Sequence, residues 1–226
     1  MKYRLFLFSC FSVIMALVLF SFANTLAQAQ ISQNQENLSE KKLVQNNINR
    51  SIAPGRIGVA KIGMTYGEVK KALGKNTKFN IKTPFMVDWN AIEIIQGGKV
   101  QFRILYPQIN TTFKDSDVIE VLQTDNYNYR TDKGIGPGSR IKQAEMVYGK
   151  ATLSYNLEME GREYVKFANQ PTNYMGFRTG AFGNNSLAGI YPKSNLGGYQ
   201  ETNNYRQNAI IRSIEISCPQ GKCWQR

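Results

Sequence analysis

Apolar and polar positions along this chain follow two rhythms, and the helical one occurs twice. Tyr66, Val69, Ala72 and Leu73 are spaced i, i+3, i+6, i+7, and Ile141, Ala144, Val147 and Tyr148 repeat that spacing 75 residues downstream. Each set is bracketed by glycines and followed by lysine, from Gly63 to Gly74-Lys75 and from Gly138 to Gly149-Lys150. The pattern predicts two short helices packed on a sheet. Thr65 and Glu68 form a capping box for the first, Ser139 can cap the second, and Gly74 and Gly149 end them.

The two-residue rhythm predicts strands after each helix. Strand-like runs cover Lys78 to Lys82, Phe85 to Gln96, Lys99 to Tyr106 and Val118 to Thr124. A second series covers Ala151 to Met159, Glu163 to Ala168, Asn173 to Phe182 and Ala209 to Ser217. Gly97-Gly98 is a two-residue hairpin turn, and Glu160-Gly161 marks another. Val100, Phe102, Ile104 and Tyr106 alternate as a core face, as do Val165 with Phe167 and Met175 with Phe177. The opposite parity carries Gln101, Arg103, Tyr164, Lys166, Tyr174 and Arg178. Arg212 breaks the rule by sharing parity with Ile210 and Ile214, and a bulge or an edge position would account for it.

These elements predict an α+β fold. Two units of one helix plus four strands would form one curved antiparallel sheet with both helices on one face. The first unit is expected over 54–131 and the second over 132–226, after a polar linker at 30–53. The connection 183–208 is too long for an ordinary hairpin and carries Tyr191, Tyr199 and Tyr205. Those tyrosines would either contact a partner or pin the loop to the sheet.

Residues 1–29 change the setting. Lys2 and Arg4 precede the apolar run Leu5 to Phe22, and Ala27-Gln28-Ala29 is a small-residue cleavage site. Export with cleavage after Ala29 is expected; the rival is an uncleaved membrane anchor. Without Lys2 and Arg4 the chain keeps 26 basic and 16 acidic residues, a net charge of +10. Outside the cytoplasm that excess either serves solubility or points to wall polymers, acidic glycans, lipid headgroups or acidic proteins rather than nucleic acid. Cys218 and Cys223, in Cys-Pro-Gln-Gly-Lys-Cys, fit a small disulfide loop, since a redox pair has two intervening residues rather than four.

Ile62-Gly63-Met64-Thr65 with Glu68-Val69 and Leu73-Gly74, followed by Tyr129-Arg130-Thr131, Gly134-Ile135 and Tyr148-Gly149-Lys150, resembles the tandem helix-and-sheet proteins of the beta-lactamase-inhibitor-protein type. It is also similar to the small outer-membrane lipoproteins of the barrel-assembly machinery. The resemblance covers about Ile57 to Ile216 and implies a curved sheet whose open face grips another protein. The chain has no suitably placed lipid-attachment cysteine and no disulfide within each repeat, so neither the assembly role nor beta-lactamase inhibition carries over.

Chemistry is sparse. The chain has no histidine, which removes His-based triads and His-ligated zinc. Ser139-Arg140-Ile141-Lys142 has the spacing of a lysine-activated serine, but capping explains Ser139. Asp88, beside Trp89, is the best carboxylate for a hydrolase; Glu160 and Glu163 read as solvated residues of a hairpin tip. No metal or cofactor motif is complete. The sequence therefore predicts an exported, non-enzymatic binding protein of inhibitor or adaptor type, holding an acidic partner through Arg103, Tyr164, Lys166, Tyr174 and Arg178. A wall- or glycan-binding module is the second reading, and a hydrolase the third.

Overall fold

The computed structural model describes residues 28, 30–35, 50–110, 112–181, 187–192 and 198–218. The signal sequence apart from Gln28, loop positions 183–186 and 193–197, and Cys223 lie outside them. The chain divides into two units, 1–47 and 48–226. In the first, residues 30–35 form a short helix, α1, where the Ser32 hydroxyl donates to the Gln28 carbonyl. No helix among the described residues is long and apolar enough to cross a membrane.

The second unit is mostly β. It opens with a three-stranded sheet of β1 (Ile52–Ala53), β2 (Arg56–Ile57) and β3 (Ala60–Lys61). Helix α2 (Tyr66–Leu73) leads into a meander of β4 (Lys78–Met86), β5 (Trp89–Gln96), β6 (Lys99–Pro107) and β7 (Val121–Thr124). Helix α3 (Ile141–Tyr148) precedes β8 (Ala151–Asn156), β9 (Arg162–Phe167), β10 (Met175–Ala181), β11 (Tyr199–Thr202) and β12 (Ala209–Ser217). The nine long-sheet strands are ordered β11-β8-β9-β10-β12-β7-β6-β5-β4, all antiparallel.

This overturns the expected α+β class of two helix-plus-four-strand units. Helices α2 and α3 have only two turns each and bury two and three side chains, so strands supply most of the core. The long connection adds β11 as a ninth strand, and residues read as linker and entry turn form a sheet of their own. Ile52, inside the stretch read as linker, is buried in the main core.

The helical faces are also narrower than the sequence pattern implied. Tyr66 and Val69 are buried, as are Ile141, Ala144 and Tyr148, whereas Ala72 and Val147 are exposed. At 100° per residue, position i+6 lies well round the helix from i, i+3 and i+7, so it misses the sheet. Thr65 caps α2 through the complete capping box. Arg140, not Ser139, is the N-cap of α3 and makes no side-chain cap. Ser139 instead accepts from the Gly136 amide at 3.1 Å, closing the turn before the helix. There the chain passes so tightly that a Cβ on Gly136 would lie 2.0 Å from the Tyr129 carbonyl oxygen.

The main core lies on the face carrying Phe102, Ile104, Tyr106, Val165, Phe167, Met175 and Phe177, with the buried residues of both helices. Gly97 and Gly98 both adopt positive φ, 58° and 73°, in the β5–β6 hairpin. The run read as one strand from Phe85 to Gln96 turns at Val87-Asp88, because Met86 pairs with Trp89. Arg212 is the extra residue of a β-bulge: Thr179 pairs with Ile211, but Arg178 pairs with Ser213. The bulge lets Ile211, Ile214 and Ile216 all reach the core despite the broken alternation. It sits in a central strand, so the edge explanation falls away.

Candidate functional site

The face opposite the main core carries a polar row that runs across the sheet. Asn80, Glu93, Arg103, Gln123 and Glu215 stand directly opposite one another on β4, β5, β6, β7 and β12. Their side chains join: Asn80 Nδ2 donates to Glu93 Oε2 at 2.9 Å, Arg103 Nε to Glu93 Oε1 at 3.2 Å, and Gln123 Nε2 to Glu215 Oε1 at 3.2 Å. Gly176 follows on β10 and has no side chain to continue the row. Tyr164 of β9 reaches past it, its hydroxyl donating to Glu215 Oε2 at 3.2 Å. Burial first, then the Glu215 carboxylate, pushes the Tyr164 phenol up to about 12, so it remains a neutral donor.

This face is partly roofed. Apolar Ala91, Leu105 and Val121 lie among its polar residues and form a small second core with Phe85, Met86 and Trp89 of the β4–β5 hairpin. The hairpin tip thereby reaches the other half of the sheet. Phe85 lies over the Arg103 guanidinium, with the ring centroid 5.1 Å away. Arg178 Nη1 donates to Met86 Sδ at 3.3 Å, and the Val87 amide donates to Glu160 Oε1 at 3.3 Å. The tips of the β4–β5 and β8–β9 hairpins therefore meet above the sheet.

Beneath them is a cavity of about 470 Å³. Arg162, Arg178 and Arg212 line it, together with Gln123, Ser213 and Phe85. Glu160 binds Arg162 Nε at 2.8 Å, and this hydrogen bond holds its carboxyl below the usual range. Asp125 pairs with Arg103 Nη1 at 2.9 Å. A larger cavity, about 730 Å³, lies between Trp89, Pro107 and the β6–β7 connection around Phe113 and Val118. Its lining holds one cation, Lys114, with two carboxylates, Asp117 and Glu120, and no arginine, so the smaller cavity is the better recognition site.

The five residues singled out for partner binding divide accordingly. Arg103, 9 % exposed, is consumed by Glu93, Asp125 and Phe85. Tyr164 is part-buried and bonded to Glu215, and Arg178 forms a wall of the cavity. Lys166 is exposed, and Tyr174 is 45 % exposed. These two remain open to a large partner. Sequence reasoning missed Arg162 and Arg212 as companions of Arg178.

The loop tyrosines also separate. Tyr191 donates to Glu163 Oε1 at 2.8 Å and packs edge-on against Tyr155. Burial, then the Glu163 hydrogen bond, raises its phenol above the ordinary value. Tyr205 donates to Glu145 Oε2 on α3 at 2.7 Å, and burial with that bond raises it to about 12. Both pin the loop; Tyr199, on edge strand β11, is exposed. Glu163 is 4 % exposed, not a solvated tip residue: it also accepts from Thr179 Oγ1 at 2.7 Å and from the Ala188 and Gly189 amides at 2.6 and 2.8 Å.

Asp88 is exposed at the hairpin tip, and its carbonyl accepts from the Gln108 amide. Among the described residues no three His, Cys, Asp or Glu side chains cluster as a metal site. Cys218 is buried and disulfide-bonded, and its amide donates to the Glu120 carbonyl. Comparison with protein-family models, curated proteins and solved structures finds no match to this chain.

Proposed function

We propose that this chain is an exported, non-enzymatic binding protein that holds an acidic protein partner on the partly roofed face of its nine-stranded sheet. The observation that carries this reading is the gathering of Arg162, Arg178 and Arg212 at one cavity on that face. Tyr174 immediately precedes β10 and Gly176 and Arg178 share one side of it, so about 13 Å of chain links an exposed aromatic ring to the cavity wall. Lys166 lies on the same side of neighbouring β9. Such a surface gives a partner a ring to pack on and guanidinium groups to pair with, while the net charge of +10 speeds encounter with an acidic molecule.

The purified protein, immobilised, should capture one stoichiometric acidic protein from an envelope extract of its source, and less of it at high salt. Lys166→Ala with Tyr174→Ala should release that protein while leaving the thermal unfolding midpoint unchanged, since both side chains are exposed. Undiminished capture by the double variant would refute this face. Retention of wall glycan alone, with no protein, would favour the glycan-binding reading instead.

A further inference from the structure

We infer that the roofed cavity is a receptor for a single carboxylate of the partner, and that the Met86 sulfur occupies the carboxylate's place on Arg178 until it arrives. The inference rests on the binding-protein reading above and specifies what its cavity recognises.

Most charges around the cavity are already used. Arg162 is held by Glu160, and Asp125 by Arg103. Glu163 receives four donors, from Thr179, Tyr191 and two loop amides. Arg178 stands apart. It makes no ion pair within 4 Å among the described residues, and its Nη1 donates to a thioether, one of the weakest acceptors a side chain offers. A guanidinium has five N–H donors in a fixed fork and matches a carboxylate through two parallel hydrogen bonds. A half-buried arginine facing a cavity with sulfur as its acceptor is a site poised for a better one.

Three further features fit a carboxylate. The bulge in β12 adds Arg212 to the lining and places Ser213 opposite Arg178, and bulges re-aim side chains in this way beside functional sites. The volume of about 470 Å³ accommodates an acidic side chain or a chain terminus. Finally, the carboxylates on the lining leave Arg178 without an ion pair: Glu160 is held by Arg162, Asp125 by Arg103, and Glu163 has the core parity and is filled by four neutral donors. One monoanion completes Arg178, whereas a phosphate dianion would bring twice the charge towards Glu160 and Asp125. Entry displaces Met86 from Arg178, so the hairpin tip must lift, and the exposed Val87 amide contact with Glu160 is its remaining polar tether on that side.

The test needs no partner protein. The purified protein is titrated with a blocked Gly-Glu-Gly peptide, a blocked Gly-Gln-Gly peptide, acetylated triglycine with a free C-terminal carboxylate, and inorganic phosphate. Resonances of the Arg178 Nε–H group and the Met86 methyl are followed by NMR. Saturable movement of both signals with the glutamate peptide identifies a side-chain carboxylate; movement with triglycine identifies a chain terminus; either supports the site. Arg178→Lys should weaken that binding about tenfold, because charge remains but the fork is lost. Met86→Ala should tighten it several-fold, because the competing acceptor is gone. A wholly structural pocket would show no such gain.

Equal movement with the glutamine peptide, tighter binding of phosphate than of either carboxylate, or weaker binding in Met86→Ala would overturn the inference. Partner capture that depends on Lys166 and Tyr174, alongside no response to either carboxylate, would overturn it while leaving the binding function standing.

Discussion

Glu163 holds the long connection between β10 and β12 in place with one side chain. Two backbone amides, a phenol and a hydroxyl converge on its carboxylate, each between 2.6 and 2.8 Å away. Glu163→Gln replaces one oxygen with an NH₂ that faces donors, so at least one buried amide or hydroxyl loses its acceptor. The expected cost is about 3 kcal/mol in urea unfolding, with faster hydrogen exchange at Ala188 and Gly189. Unchanged exchange at those two amides would show that the carboxylate does not hold the loop. The chain did carry a signal for this role: Glu163 shares the parity of Val165 and Phe167, the core parity. Proximity to the Glu160-Gly161 turn masked it. For Arg103, alternation along β6 gave the polar face correctly but contained nothing about Phe85 folding over it.

Elements were legible where their signals were local. The capping box of α2, the glycine ends of both helices and the Gly97-Gly98 hairpin depend on residues a few positions apart. The turn at Val87-Asp88 was not, because it lacks the glycine that marks a two-residue hairpin and is fixed by Phe85 and Met86 burying against distant Leu105 and Val121. Strand β12 gives a direct test of how much depends on one inserted residue. Deleting Arg212 should remove the bulge and force one end of the strand to present its isoleucines to the wrong face. We expect a loss of roughly 3 kcal/mol or more, against about 1 kcal/mol or less for Arg212→Ala, which keeps the extra residue. Chemical denaturation of the two variants compares them, and equal costs would show that the register does not need the bulge.

Across the whole molecule, single hairpins such as Gly97-Gly98 could be anticipated from local residues, but neither the class nor the strand order could. Which pieces of a polar, Asn- and Tyr-rich connection become β11, and that residues near 52–61 form their own sheet, depend on contacts made across the fold. Charge behaviour is a property of the same scale. The chain has no histidine, whereas Tyr129, Tyr164 and Tyr205 are raised from 10.0 to about 12, chiefly by burial, and Tyr191 is raised too. Unfolded tyrosines lose their protons near 10, so above that pH the unfolded state binds fewer protons than the folded one. Their contribution to stability is therefore complete below pH 10 and is lost as pH climbs towards 12. Thermal unfolding midpoints should fall steeply across that window, and less steeply in Tyr205→Phe. A midpoint that stays level to pH 12 would contradict the assignment.

Strand β12 lies between β10 and β7 and is the seam that joins the two halves of the sheet. Among the described strands it is also the last in chain order. Until Ala209–Ser217 emerges, the meander β4–β7 has an open edge at β7, the β8–β10 group has one at β10, and neither can pair with its eventual neighbour. Joining of the two halves thus waits for Ala209–Ser217 rather than being spread along the chain, and a chain threaded through a membrane N-terminus first would hold its sheet unjoined until this strand had crossed.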